Sequence, residues 1–320
     1  MRRRVFLVGG AVTWALAAHA QHTAAARRVA VFLFSKEDRT FVNPFVKGLE
    51  ALGYADGKNI VIKYRDADGN PQRFTEVAQE ITRLGPDVIF CFGGDIAPAI
   101  KNATRTIPIV VLVSNDPVEA GLVASLARPG GNITGLTQVH DILAGKSIEL
   151  LKETIPSVSR VAILWNPDHA DPEFRETKRA SVSLGVDLQS LEVRQAGDFD
   201  GAFREAERNR AEALIVIGGR LINVNRHRIK EFGESNKIVL VGVPGWLMQM
   251  GALMTYGPNL AELNRRAATY VDKILKGAKP ADLPIERPTT FELQISMSTA
   301  KRLGIVLPPT VIARADKTIE

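Results

Sequence analysis

Short apolar runs recur along the chain, each followed by a stretch in which apolar residues return every three or four positions. RRVAVFLF (27–34), NIVIKY (59–64), DVIFCFGG (87–94) and IPIVVLVS (107–114) are the first four. Their apolar character is continuous rather than alternating, as in strands covered on both faces of a parallel sheet. The intervening amphipathic stretches predict helices over 44–52, 71–84, 96–104 and 118–127. Asn70-Pro71 places a cap residue before a proline at the first helical position, and Gly53 and Gly85 stand just past helix ends. The pattern then repeats. A loop, RPGGNITG, enters a strand at 133–137, and RVAILWN, VDLQSLEV, EALIVIGG and KIVLVGV alternate with helices expected at 171–184, 199–209 and 222–235. Asn259 and Glu262 have capping-box spacing at the head of a further helix, 259–277. The fold class is therefore α/β, with two similar parallel-sheet lobes. The expected division is 28–137 plus 256–282 for the first lobe and 138–255 plus 283–320 for the second. Connections are expected near 137–141, 243–254 and 283–290.

Residues 1–20 stand outside this alternation. MRRRVFLVGGAVTWALAAHAQ runs from three arginines through an apolar stretch to a small-x-small site at Ala18-His19-Ala20, the layout of a cleaved secretory signal. Arg3-Arg4 also resembles a twin-arginine signal. Cleavage near Ala20 and a periplasmic location are expected, without a lipid anchor, since no cysteine ends the apolar run. Arg2, Arg3 and Arg4 account for three units of the formal net charge of +6, so the remainder is only modestly basic. That balance does not suggest a nucleic-acid-binding stripe. The single cysteine, Cys91, lies in an apolar strand and is expected in the core.

HDILAGKSIELLKE (140–153) contains Gly-Lys-Ser at a helix, which raises the question of a phosphate loop. Such a loop needs a glycine five positions before the Gly-Lys, to start the turn whose N–H groups surround phosphate. His140 occupies that position. With Asp141 as cap and Leu143, Leu150, Leu151 and Ile155 as the apolar stripe, Gly145-Lys146-Ser147 is expected inside the helix. An enzyme is also not expected. There is no Gly-x-Ser-x-Gly elbow or His-Glu-x-x-His pair, and the histidines His19, His22, His140, His169 and His227 are scattered. Neither metal nor cofactor is expected.

Ligands of open α/β sheets sit beyond the carboxyl ends of strands, facing loop N–H groups and polar side chains. The candidates on this rule are Ser35; Gly93, Gly94 and Asp95; Ser114, Asn115 and Asp116; Thr137; Asn166; Gly218, Gly219 and Arg220; and Pro244, Gly245 and Trp246, with Tyr256 added as an aromatic partner. An amino acid would use an acid such as Asp95 or Asp116 for its ammonium. Arg220 or Ser35 would serve its carboxylate, and Trp246 or Tyr256 an aromatic side chain. Each also has a plainer reading: Asp95 and Asp116 as caps, Asn166 as a turn residue and Trp246 as core.

The segments GLEALGYADGKNIVIKYR, DPVEAGLVASLARPGGNITGLT, GKSIELLKETIPSVSRVAILWNP, GALMTYGPN, RRAATYVDKILKGAKPADLPIERPTTFELQIS and TAKRLGIVLPP cover most of the chain after the leader. They resemble the ABC transporter substrate-binding family often labelled as tryptophan/tyrosine uptake proteins. The resemblance implies a type I periplasmic binding fold that closes on a small-molecule solute. It further implies delivery to an ABC permease served by a cytoplasmic ATPase, with only peripheral contact at the membrane and no nucleic acid. The same fold also serves as the sensing domain of receptors, the alternative role. Asp95 and VPGWLMQM depart from the family pattern, both at expected cleft loops.

Overall fold

The computed structural model describes residues 26–138, 145–168 and 173–320. The leader, the cap at Asp141, Leu143 and all the histidines except His227 lie outside the described residues. The first apolar runs form β1 (Arg27–Leu33), β2 (Ile60–Asp66), β3 (Val88–Phe92), β4 (Ile109–Val113) and β5 (Ile133–Thr137), with α1 (Arg39–Ala51), α2 (Phe74–Arg83) and α3 (Ala97–Ala103) between them. The strands make a parallel sheet in the order β2-β1-β3-β4-β5. Every residue of β3 and β4 is buried, Cys91 included, as strands covered on both faces require.

The second lobe begins with α4 (Lys146–Thr154), β6 (Arg160–Trp165), α5 (Glu173–Ser183), β7 (Asp187–Glu192), α6 (Phe199–Arg208) and β8 (Ala213–Val216). It continues through α7 (Arg220–Val224), α8 (Arg226–Asn236), β9 (Val239–Gly242) and β10 (Met254–Pro258). Next, α9 (Leu260–Leu275) returns to the first lobe, where Ala267, Ala268, Tyr270 and Val271 join its core. α1 and α9 touch closely: a Cβ added at Gly48 would lie 2.8 Å from that of Ala268. The chain then comes back as β11 (Phe291–Ser296), α10 (Met297–Leu303), α11 (Pro309–Ile312) and β12 (Lys317–Ile319). The second sheet runs β12-β11-β10-β9-β8-β6-β7, with only β10 and β11 antiparallel.

Several boundaries differ from the sequence reading. Residues 256–258, expected with the first lobe, pair with β11 in the second sheet. The connection expected at 243–254 therefore lies at Pro258–Leu260, and Gly245–Met250 is a 3-10 turn packed on the second lobe. Ile285 and Glu286, expected in the second lobe, stay along the first sheet: Ile285 N–H donates to Leu126 O, Glu286 N–H to Gly135 O, and Thr137 N–H to Glu286 O. α1 starts before Pro44, because Ser35 and Asp38 form a capping box that begins the turn earlier. Residues 118–127 form turns instead of a helix, with Gly121 in the left-handed region at φ 67°.

The Gly-Lys-Ser also sits differently. Gly145 caps α4 at φ 81° and Lys146 opens the helix, so the triplet lies at a helix start and not within it. An α-helix does not run through that left-handed backbone, and glycine is suited to it twice over, since a Cβ there would also lie 2.8 Å from that of Ala180. Lys146 pairs with Glu149 at 2.8 Å and Ser147 is buried, so neither side chain is presented to a phosphate.

Candidate functional site

The carboxyl ends of both sheets face a cavity of about 540 Å³ between the lobes. From the first lobe it is lined by Asp38, Phe41, Phe92, Gly93, Asp95 and Ser114; from the second by Gly219, Arg220, Asn223, Pro244, Trp246 and Gln249. Phe41 and Phe92 stack with centroids 6.5 Å apart, and with Trp246 they supply the aromatic surface. The β10–α9 connection contributes Asn259, and the far end of the second sheet contributes Glu292, Gln294 and Lys317.

Two polar clusters border this space. In the first, Arg220 of the second lobe reaches across to two acids of the first. Its Nη1 lies 3.0 Å from Asp38 Oδ2 and 3.2 Å from Oδ1, and its Nε lies 3.3 Å from Asp95 Oδ2. The guanidinium also lies 4.5 Å from the centre of the Phe34 ring. The Asp38 side chain is 5% exposed, Arg220 16% and Asp95 27%, so Asp95 is the member of the cluster most open to a solute. Burial pushes the Asp38 carboxyl above its ordinary range, and the Arg220 charge pulls it back. The second cluster centres on Glu292, which accepts from Lys317 Nζ at 2.8 Å, Gln294 Nε2 at 3.1 Å and Asn259 Nδ2. Asn259 also caps α9 by accepting from Glu262 N–H at 2.9 Å.

Local backbone geometry places these groups. The capping box that starts α1 turns Asp38 inward: Ser35 N–H donates to Asp38 Oδ2 at 3.3 Å, and Asp38 N–H to Ser35 O at 3.2 Å. Gly93, at φ 138°, ends β3, and a Cβ there would lie 2.9 Å from Asp95 Oδ1 and 3.0 Å from Arg220 Nη2. Only glycine leaves that room.

Of the residues expected from sequence, Gly93, Asp95, Ser114, Gly218, Gly219, Arg220, Pro244, Gly245 and Trp246 line the cavity. The others lie behind or beside it. Ser35 caps the turn that holds Asp38. Gly94 packs against the Asn115 side chain, which is itself buried, and Thr137 Oγ1 donates to Asn115 O at 3.0 Å. Asp116 accepts from the N–H groups of Val118 and Glu119, and Asn166 from that of Asp168; both are turn residues. Tyr256 packs on Phe291 and the second-lobe core. Arg220, expected to hold a solute carboxylate, is instead engaged by Asp38 and Asp95. Sequence reasoning passed over Asp38, although the Ser-x-x-Asp spacing was a legible signal. It also missed Phe41, Glu292 and Lys317, which reach the cleft only through helix phase and sheet pairing.

Among the described residues no group of three or more His, Cys, Asp or Glu side chains is arranged to hold a metal ion, and no helix is long and apolar enough to cross a membrane.

Comparison with known proteins gives a consistent result. A family model described as ABC transporter substrate binding protein matches residues 28–319. A tyrosine-binding protein of Clostridioides difficile is 28% identical over 263 residues, spanning 82% of this chain and 75% of the relative. The crystal structure of a conserved domain protein from Vibrio cholerae superposes with a TM-score of 0.84 at 28% identity, covering 92% of this chain and 99% of the other. An ABC domain in complex with L-Trp from Streptococcus pneumonia also gives 0.84, at 22% identity, over 92% and 100% of the two chains. The two-lobed architecture is that of type I periplasmic binding proteins.

Proposed function

The chain belongs to the family of ABC transporter substrate-binding proteins, which bind solutes and are not enzymes, and from that premise we propose that it captures an amino-acid-like solute between its lobes in the periplasm and delivers it to an ABC permease. The observation that carries this reading is the composition of the cavity wall: a partly open carboxylate, Asp95, beside the aromatic surface of Phe41, Phe92 and Trp246. Among the described residues four carboxylates line the cavity (Asp38, Asp95, Glu173, Glu292) against two cations (Arg220, Lys317). Arg220 and Lys317 are each already paired with an acid of the wall. A protonated amine therefore finds a favourable field, and a carboxylate would rely on neutral donors such as the amides of Gln138 and Gln249. Tyrosine-binding by a relative and L-Trp in a structural neighbour support the same class of solute. The leader-like residues 1–20 support export, with cleavage near Ala20.

A thermal-shift screen tests the proposal, because a ligand that binds only the folded state raises the melting temperature with concentration by mass action. Aromatic or other amino acids should stabilise the protein. Stabilisation by sugars or by aromatic acids lacking an amine, with none from amino acids, would remove the amino-acid reading.

A further inference from the structure

Arg220 and its two acids do more than line the wall, because among the described residues they bond the lobes across the cleft through a largely buried charge pair. Arg220 opens α7 in the second lobe; Asp38 and Asp95 follow β1 and β3 in the first. A second cross-lobe pair, Arg175 with Glu119 at 3.8 Å, lies at the rim, where the side chains are 61% and 49% exposed. The two pairs differ in what separation of the lobes would do to them. Exposed pairs gain little from contact, because water and salt screen them whether together or apart. The Arg220–Asp38 pair is largely desolvated, with Asp95 at its more open edge, and its geometry is fixed from three sides: a capping box holds Asp38, Phe34 lies under the guanidinium, and Gly93 leaves the space that Nη2 occupies. Separating the lobes moves Arg220 off both carboxylates at once and leaves Asp38 in its pocket without a counter-charge.

We propose that Arg220 is a positioning residue which latches the lobes together through Asp38 and Asp95 and so sets the balance between open and closed cleft independently of solute. Closure in this protein is then weighted by a charge cluster within its own wall, and the same contact fixes the orientation in which Asp95 meets a solute. This inference rests on the two-lobed arrangement and not on the identity of the solute.

The test is made without solute. Leu52→Cys in the first lobe and Val182→Cys in the second place spin labels at exposed positions, while the native Cys91 is fully buried and stays unlabelled. The distance distribution between the labels is measured by double electron–electron resonance. Arg220→Gln should shift the population toward the longer distance by on the order of tenfold or more, the scale on which loss of one partner of a buried pair moves an equilibrium. Asp38→Asn and Gly93→Ala, which attack the latch from the other lobe, should shift it in the same direction. Arg220→Lys should restore part of the short-distance population, which a merely structural role for the arginine would not. Arg175→Gln serves as the control for the rim pair and should leave the distribution unchanged. Circular dichroism of each variant confirms that the lobes remain folded. A wild-type distribution in both Arg220→Gln and Asp38→Asn, or an equal shift in Arg175→Gln, would overturn the proposal. Failure of the amino-acid screen would leave it standing.

Discussion

Replacing Gly135 by alanine should cost far more than the loss of one glycine implies, and the structure says why. Gly135 is the middle residue of β5, paired with Val111 of β4, and its φ is 140°. A Cβ there would fall 2.1 Å from Val111 O and 2.5 Å from Val111 N. Both are backbone atoms of a buried strand, so no side chain can swing aside. Holding alanine in that backbone region costs roughly 1–3 kcal/mol. Relieving the overlap means parting β4 from β5, which forfeits ladder hydrogen bonds worth about 1 kcal/mol each. A total loss of roughly 3–5 kcal/mol is expected, enough to unfold many proteins of ordinary stability. The damage would reach the returning segment between the lobes, because Gly135 O also accepts from Glu286 N–H. The matching control is Gly201→Ala in α6, where φ is helical and an added Cβ meets nothing within 4 Å. That change should stabilise by about 0.5–1 kcal/mol, through the unfolded chain's lost freedom and better helix propensity. Urea denaturation followed by circular dichroism measures both. A loss below about 1 kcal/mol for Gly135→Ala would refute the close approach of the two strands.

Glu286 accepts two hydrogen bonds from Arg266, each 2.7 Å, and these hold its carboxyl below the usual carboxylate range. A depressed folded-state pKa adds stability that is present above the unfolded value, near 4.5, and is lost as pH falls through the folded value. Both side chains are partly exposed, so after allowance for screening Glu286→Gln should cost no more than about 1 kcal/mol at pH 7. Denaturation midpoints compared from pH 7 to pH 3 should show the gap to wild type closing in acid, and a gap that widens would contradict the sign. Lys146→Ala, in the Gly-Lys-Ser triplet, removes only a surface pair within α4 and should change stability by less than about 0.5 kcal/mol. MgATP should leave the melting temperature of wild type unmoved, and a concentration-dependent rise would reopen the phosphate-loop reading.

What the sequence could and could not reveal is clearest where acids and amides follow strands. Asp95, Asp116 and Asn166 all stand just past the end of an apolar run, and by that rule they are equivalent. The structure separates them by what comes next. Asp116 and Asn166 each precede a proline, and each spends its side-chain oxygen on an N–H two residues on, as Asx turns do. Asp95 follows Gly93-Gly94 instead, and the left-handed φ of Gly93 leaves room for Arg220 to arrive from the other lobe. The Asx-Pro dipeptides therefore carried a turn signal in the sequence that the strand-end rule does not weigh. Gly145 shows the opposite limit. Its helical neighbours make a convincing stripe, and only its left-handed backbone, beside a close approach of Ala180 from another helix, marks it as a cap. Lys317 is further still from anything local. It reaches the cleft because a three-residue strand at the chain's end pairs with β11, bringing its ammonium to Glu292. The alternation of apolar strands and amphipathic helices follows from periodicity, so two α/β lobes with a cleft between them were legible, whereas the order of the strands and the antiparallel β10–β11 pair were not. Which charged groups meet across that cleft depends on lobe closure and on edge strands too short to carry a pattern, and the Asp38–Arg220–Asp95 cluster, whose members come from three separate strand ends, is a product of both lobes at once.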